Sequence, residues 1–216
     1  MAGLFIAFEG PEGGGKSTQI AALDARLRAS GVDPVVTREP GGTGAGDAIR
    51  RVVLDPALEV APLTEFLLYS ASRAQLVSEI LTPALAAGRV VVSDRFSGAS
   101  LAYQGYGRRL ELDFIEELTQ RATGGLRPDL TVLLDLEPEQ GLERISTRGD
   151  SDRLELADLE FHRRVRRGFL NQATGREDWL VLDATLLEED LAKAIWQRVS
   201  PLLPAGARSS EKRPSS

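Results

Sequence analysis

The sequence predicts a three-layer α/β fold, with a five-stranded parallel sheet between helical layers. Three observations carry this. Apolar runs near residues 4–9, 34–37, 89–93, 130–135 and 179–183 read as buried parallel strands. Helical patterns separate them, at about 16–30, 44–54, 62–87, 98–104, 111–123, 138–147, 156–174 and 187–202, and such alternation builds a doubly wound sheet. Between the first strand and the first helix stands Gly10-Pro11-Glu12-Gly13-Gly14-Gly15-Lys16-Ser17-Thr18, which fits G-x-x-x-x-G-K-S.

That string is a phosphate-binding loop in the strand–loop–helix context it requires. Phosphate oxygens need many donors in a small volume. Backbone N–H groups supply them when the chain wraps tightly, and the following helix adds its positive end. Glycine permits the wrap and leaves no side chain between backbone and anion. Lys16 brings a compact charge to the β/γ oxygens, and Ser17 a hydroxyl to Mg²⁺, an ion that accepts few protein ligands. Lysine occurs only at 16, 193 and 212 among 26 basic residues. In so arginine-rich a chain, a lysine here marks a place that a forked guanidinium does not serve.

The remaining elements follow from local signals. Pro62 and Pro138 suit the first turns of their helices. Gly31 and Gly88 suit helix C-termini. Ligands in such sheets bind at the carboxyl ends of strands. The second strand ends in Thr37-Arg38-Glu39-Pro40-Gly41-Gly42-Thr43, and the third in Ser93-Asp94-Arg95-Phe96, leading to Ser100-Leu101-Ala102-Tyr103-Gln104-Gly105. Asp94 is placed to hold water around Mg²⁺. Arg38 and Arg95 at two strand ends point to a second anion, separate from the triphosphate. Tyr69 and Arg73 are one helical turn apart and share a face.

Composition narrows the function classes. At 216 residues the chain reads as one domain over 1–203, with a lid at about 144–156. Residues 204–216 are expected to form a disordered tail. A formal charge of −6 argues against general nucleic-acid or membrane-surface binding. There is no apolar run of about 18 residues and no charged N-terminal leader, so neither a span nor a signal peptide is expected. The absence of cysteine fits a reducing cytoplasm. His162 is the only histidine, which excludes a histidine triad or multi-histidine metal site; it reads as a surface helix residue. The run Arg163-Arg164-Val165-Arg166-Arg167 sits among Phe161, Val165 and Phe169 at helical spacing, so its arginines read as a solvated or lid-facing edge.

On the Phe8-Glu9-Gly10 loop entry, Arg38-Glu39-Pro40-Gly41-Gly42, Asp94-Arg95-Phe96 and Ala102-Tyr103-Gln104-Gly105, the chain resembles the thymidylate kinase family over roughly residues 3–200. The resemblance implies a nucleoside monophosphate kinase-like P-loop NTPase that phosphorylates dTMP with ATP–Mg²⁺, and a homodimer built through helices beside the sheet. It implies that Arg38 and Arg95 hold the dTMP phosphate and that Tyr69 stacks on thymine. Arg73 would bond the exocyclic oxygen, with Ser100 and Gln104 at the base edge and Tyr103 under the sugar. Glu12 matches a loop carboxylate near the acceptor. Gly13 stands where one group of the family carries a catalytic arginine, so the chain resembles the group whose arginine comes from the lid. Arg153 is the first choice, then Arg148 and Arg144. Phe96 departs from the Tyr or His of many relatives. The other classes open at this point are another P-loop nucleoside or nucleotide kinase, a GTP-binding switch and a nucleic-acid-stimulated ATPase. The switch lacks its Asn-Lys-x-Asp motif here.

Overall fold

A computed structural model describes residues 3–146 and 152–203. The expected tail and lid residues 147–151, Arg148 among them, lie outside the described residues. In chain order the elements are β1 (Leu4–Glu9), α1 (Lys16–Ala29), β2 (Val35–Arg38), α2 (Gly44–Leu54), α3 (Pro62–Leu76), α4 (Thr82–Ala86), β3 (Val90–Asp94), α5 (Ser97–Ser100), α6 (Leu112–Thr123), β4 (Leu130–Asp135), α7 (Pro138–Ser146), α8 (Leu159–Ala173), β5 (Trp179–Asp183) and α9 (Glu188–Val199). The sheet order is β2-β3-β1-β4-β5, and every pairing is parallel.

Alternation along each strand makes the two layers. Leu4, Ile6, Phe8, Val90, Val92, Val132 and Leu134 face α1 and α9, against Leu23, Leu27, Leu191 and Ile195. Phe5, Ala7 and Val91 point the other way, onto Leu76, Leu81 and Phe96. Leu133, on that same side, packs with Phe161, Val165 and Phe169 of α8. The two outer strands correct one expectation. β2 and β5 are sheet edges and only half-buried, with Val36 and Val181 exposed. An apolar run shows that a strand is present, not that both its faces are covered.

Helix ends follow their local chemistry. Thr43 caps α2 through Gly46 N–H at 3.0 Å, and Asp158 caps α8 through Phe161 N–H at 2.6 Å. The single helix expected over 62–87 is instead α3, a π-helical stretch Val77–Leu81, and α4. Pro83 accounts for the break: it has no N–H to donate and its ring opposes the preceding turn, so the ladder widens. A second π-helical stretch, Leu101–Gly107, follows α5 and carries Tyr103 and Gln104.

Topology places the site. β1 leads to β2 on one side of the sheet, while β3 leads to β4 on the other, so a crevice opens where their crossovers part. Register then aligns the chemistry. Asp94 pairs with Phe8 on one side and with Arg38 on the other, and Glu9 pairs with Leu133.

Candidate active site

The loop after β1 wraps tightly through Gly10, Gly13 and Gly15, all at positive φ, and at Gly10 and Gly13 neighbouring backbone leaves no room for a side chain. Gly13 has φ 71°, and a Cβ there would stand 2.5 Å from the Gly141 carbonyl oxygen of α7. A side chain on Gly141 would in turn press into the Glu12 carbonyl oxygen. Backbone meets backbone here, which is a steric reason for the absence of an arginine from the loop. Lys16 is buried and donates to the carbonyls of Gly10 at 3.1 Å and Pro11 at 2.9 Å. Burial, with Arg95 close by, lowers its ammonium pKa.

A cavity of about 260 Å³ opens beside the loop. Residues 12–18 form one wall, and Arg38, Tyr69, Asp94, Arg95, Ser100, Tyr103 and Gln104 contribute to the rest. Ser17 Oγ lies 3.5 Å from Asp94 Oδ2. Glu12 organises the centre: its Oε1 pairs with Arg95 Nη2 at 2.6 Å and accepts from the Tyr103 hydroxyl at 2.7 Å. Burial alone would raise the Glu12 carboxyl, but Arg95 and then Lys16 outweigh it and hold it at about 2. The Arg95 guanidinium also lies 4.9 Å over the Tyr103 ring. Burial pushes the Tyr103 phenol upward, so it stays a donor.

Arg95 has φ 70°, the left-handed region, yet it is not a glycine. Several bonds hold it there. Its N–H donates to Phe8 O at 2.8 Å, and Ser93 Oγ donates to its carbonyl at 2.7 Å. Beyond it, Glu9 Oε1 accepts from Phe96 N and Ala99 N, both at 3.0 Å. The strain aims the side chain into the crevice instead of along the sheet.

Arg73 is sealed behind the wall. It is 1% exposed, donating to Glu39 Oε2 at 2.7 Å, Ser100 Oγ at 2.9 Å and Phe96 O at 3.1 Å. Its Nη1 is a buried donor with no hydrogen-bond partner among the described residues. Phe96 needs no polar tip: it is fully buried, edge-on to Phe5 at 4.9 Å and beneath Arg73.

The thymidylate kinase family model matches residues 8–195. The chain belongs to that family. A curated thymidylate kinase of Deinococcus radiodurans is 60% identical over 199 residues, covering 92% of this chain and 97% of that protein. One of Halothermothrix orenii is 47% identical over 206 residues, covering 94% and 99%. One of Synechococcus sp. (strain JA-2-3B'a(2-13)) is 49% identical over 211 residues, covering 96% and 100%.

Of the family-implied residues, the fold brings the loop, Arg38, Tyr69, Asp94, Arg95, Ser100, Tyr103 and Gln104 to one cavity. Arg153 it does not bring. Its Nη2 lies 2.6 Å from the buried carboxylate of Glu65, and its Nε donates to Val53 O at 3.0 Å. Arg144 donates to Gly13 O and Ala184 O, both at 3.2 Å, bracing the loop against the end of β5. Arg148 lies outside the described residues. His162 corrects the surface reading: it is 2% exposed beside the Phe161 ring, and burial lowers its pKa. Residues 152–158 lie ahead of α8 and bury Leu154 in the same cluster as Phe161, a cover that helical period alone does not foresee. The arginine run is largely engaged internally. Arg163 pairs with Glu139 and Glu160, Arg164 donates to Gly107 O, and Arg166 pairs with Asp135 and Glu137.

Sequence reasoning missed Arg50 and Glu39. Both line the cavity; Arg50 donates to Pro40 O at 3.0 Å, and Glu39 anchors Arg73. Glu39 lay within a quoted motif and could have been found as the acidic partner that a buried arginine requires. Arg50 had no such signal.

Proposed function

We propose that the protein transfers the γ-phosphoryl group of ATP to the phosphate of dTMP, giving dTDP and ADP. The observation that carries this is the placement, in one cavity, of a triphosphate loop and two arginines at neighbouring strand ends. One cavity thereby has anion donors for a donor phosphate and for an acceptor phosphate.

ATP lies along Gly10–Thr18, with its phosphates on the loop amides and Lys16. Arg38 and Arg95 clamp the dTMP phosphate. An oxygen of that phosphate attacks the γ-phosphorus in line; the bond to the β-phosphate oxygen breaks and ADP leaves. A phosphate monoester is already largely dianionic at neutral pH, so no strong base is needed. Glu12, ionised throughout that range, keeps Arg95 aimed and so acts by positioning. Lys16 and Arg95 neutralise charge as it spreads over the transferring group. Tyr69 offers a ring for the base, and Ser100 and Gln104 offer polar edges. Arg73, sealed behind the wall, does not reach the base in this geometry and acts on the site by holding Ser100 Oγ. With Arg153 held at Glu65, Arg148 is the lid guanidinium we assign to the transition state; lid closure also excludes water.

The donor set suits Mg²⁺. Ser17 and Asp94 would hold it, through water at Asp94. Mg²⁺ keeps most of its water and needs few protein ligands, and Ser17 Oγ and Asp94 Oδ2 stand 3.5 Å apart at the loop. Held there, Mg²⁺ would supply positive charge to offset that of the triphosphate.

A homodimer through α2, α3 and α6 fits the exposed apolar residues there: Val52, Leu63, Leu67 and Phe114. α3 serves both sides, since Phe66, Tyr69, Arg73 and Leu76 of the same helix are buried within the protomer. No helix among the described residues is long and apolar enough to cross a membrane. The absence of cysteine supports a cytoplasmic setting. The test is ADP release with ATP–Mg²⁺ against a panel of acceptors. dTMP must turn over and be preferred to dCMP, UMP and GMP; no turnover with dTMP sinks the reading.

A further inference from the structure

Glu65 is 0% exposed near the start of α3, and it does not line the cavity. Three side chains converge on it. Arg108 Nη2 lies 3.1 Å and Arg153 Nη2 2.6 Å from Oε2, and Gln104 Nε2 donates to Oε1 at 2.8 Å. Gln104 does line the cavity. It therefore stands between a buried carboxylate and the space where the base sits.

A side-chain amide donates at one end and accepts at the other, and which end is which follows from its neighbours. A carboxylate balanced by two guanidinium groups only accepts. The NH₂ of Gln104 must turn to Glu65, and the carbonyl is the end left for the cavity. Turning the amide over would set its oxygen against the carboxylate, exchanging the 2.8 Å hydrogen bond for a repulsive contact and leaving Oε1 only the longer bond from Arg108 Nε at 3.3 Å. Arg108 is itself fixed 4.6 Å over the Phe161 ring and Arg153 is bonded to Val53 O, so the anchor of the anchor is also held.

Pyrimidines differ at the matching atom. Thymine and uracil present an N3–H donor; cytosine presents a bare N3 lone pair. A fixed carbonyl pairs with the first and opposes the second. We propose that Glu65, by fixing the orientation of the Gln104 amide, makes the site select a base bearing N3–H and reject cytosine. The proposal rests on the dTMP reading above. Glu65 is a positioning residue in it, acting through Gln104 without touching the base.

The test compares kcat/KM for dTMP, dUMP and dCMP in the wild type, Glu65→Gln and Gln104→Met. Glutamine at 65 can donate as well as accept, so Gln104 becomes free to turn. The dTMP-to-dCMP ratio should then fall at least tenfold, while the dTMP-to-dUMP ratio stays within about twofold because both bases carry N3–H. A merely structural role would lower all three substrates together, and an unchanged dTMP-to-dCMP ratio overturns the proposal. Gln104→Met leaves the ion pairs of Glu65 intact and should also collapse that ratio; if it does not, the proposal falls on that variant alone. Should Glu65→Gln not fold, the ratio is read on Glu65→Gln with Arg108→Gln, which removes one of the two guanidinium charges left unpaired. Failure of the parent reading looks different: the wild type would not turn over dTMP at all.

Discussion

Glu9 should make the protein less stable as pH rises through neutrality, and Glu9→Gln should remove that loss. The residue ends β1 and is 1% exposed, with Oε1 bonded to two backbone N–H groups and Oε2 buried without a partner among the described residues. Burial drives its carboxyl from the ordinary 4.5 to about 7, although Arg95 and the two N–H groups pull the other way. Between those two values the folded chain keeps a proton that the unfolded chain has released, so stability falls as pH rises. Each pH unit there is worth about 1.4 kcal/mol. From about pH 5 to about pH 8 the wild type should lose roughly 2–3 kcal/mol that the glutamine variant retains. Glu12 does not blur the comparison: held at about 2, it stabilises the fold above 4.5 and loses that contribution only as pH falls toward 2. Urea unfolding of both proteins at the two pH values measures the difference, and groups shared by both cancel. A difference independent of pH, or one that shrinks as pH rises, refutes the reasoning.

Three further outcomes follow from the geometry. Arg153→Ala should change kcat by less than about threefold, because its guanidinium is at Glu65, whereas Arg148→Ala should lower kcat at least tenfold at saturating substrate; the reverse order would return the transition-state role to Arg153. Gly141→Ala should drive a methyl into the Glu12 carbonyl, costing about 1–3 kcal/mol and weakening ATP binding more than dTMP binding, as read by calorimetric titration of each nucleotide. Leu67→Asp should shift sedimentation from dimer to monomer with the far-UV spectrum preserved; an unchanged oligomer would move the interface off α3.

Much of the fold is legible along the chain. The strand positions in the sequence match all five strands within a residue, since each is a local apolar run bounded by turn chemistry. The loop could be read as it stands, because its glycines answer backbone requirements that lie within a few residues. Pro83 marks a break that the apolar pattern across α3 and α4 masks. Phe96 illustrates the opposite limit: the sequence shows only a missing polar tip, whereas the tertiary structure shows the ring fully buried, edge-on to Phe5 and beneath the Arg73 guanidinium.

By itself, then, the sequence determined the alternation of strands and helices, the phosphate loop, and the arginines and aspartate waiting at strand ends. Periodicity and backbone chemistry act over a few residues, and a sequence displays them in order. Only the tertiary structure decided which charges meet. It put Arg73 on Glu39, 34 residues away, Arg95 on Glu12, 83 residues away, and the favoured lid residue Arg153 on Glu65 instead of on the phosphate loop. It also buried the lone histidine under the segment before α8. Buried charges take their partners from whichever elements the sheet order brings close, and that order is a property of the assembled core, not of any stretch within it.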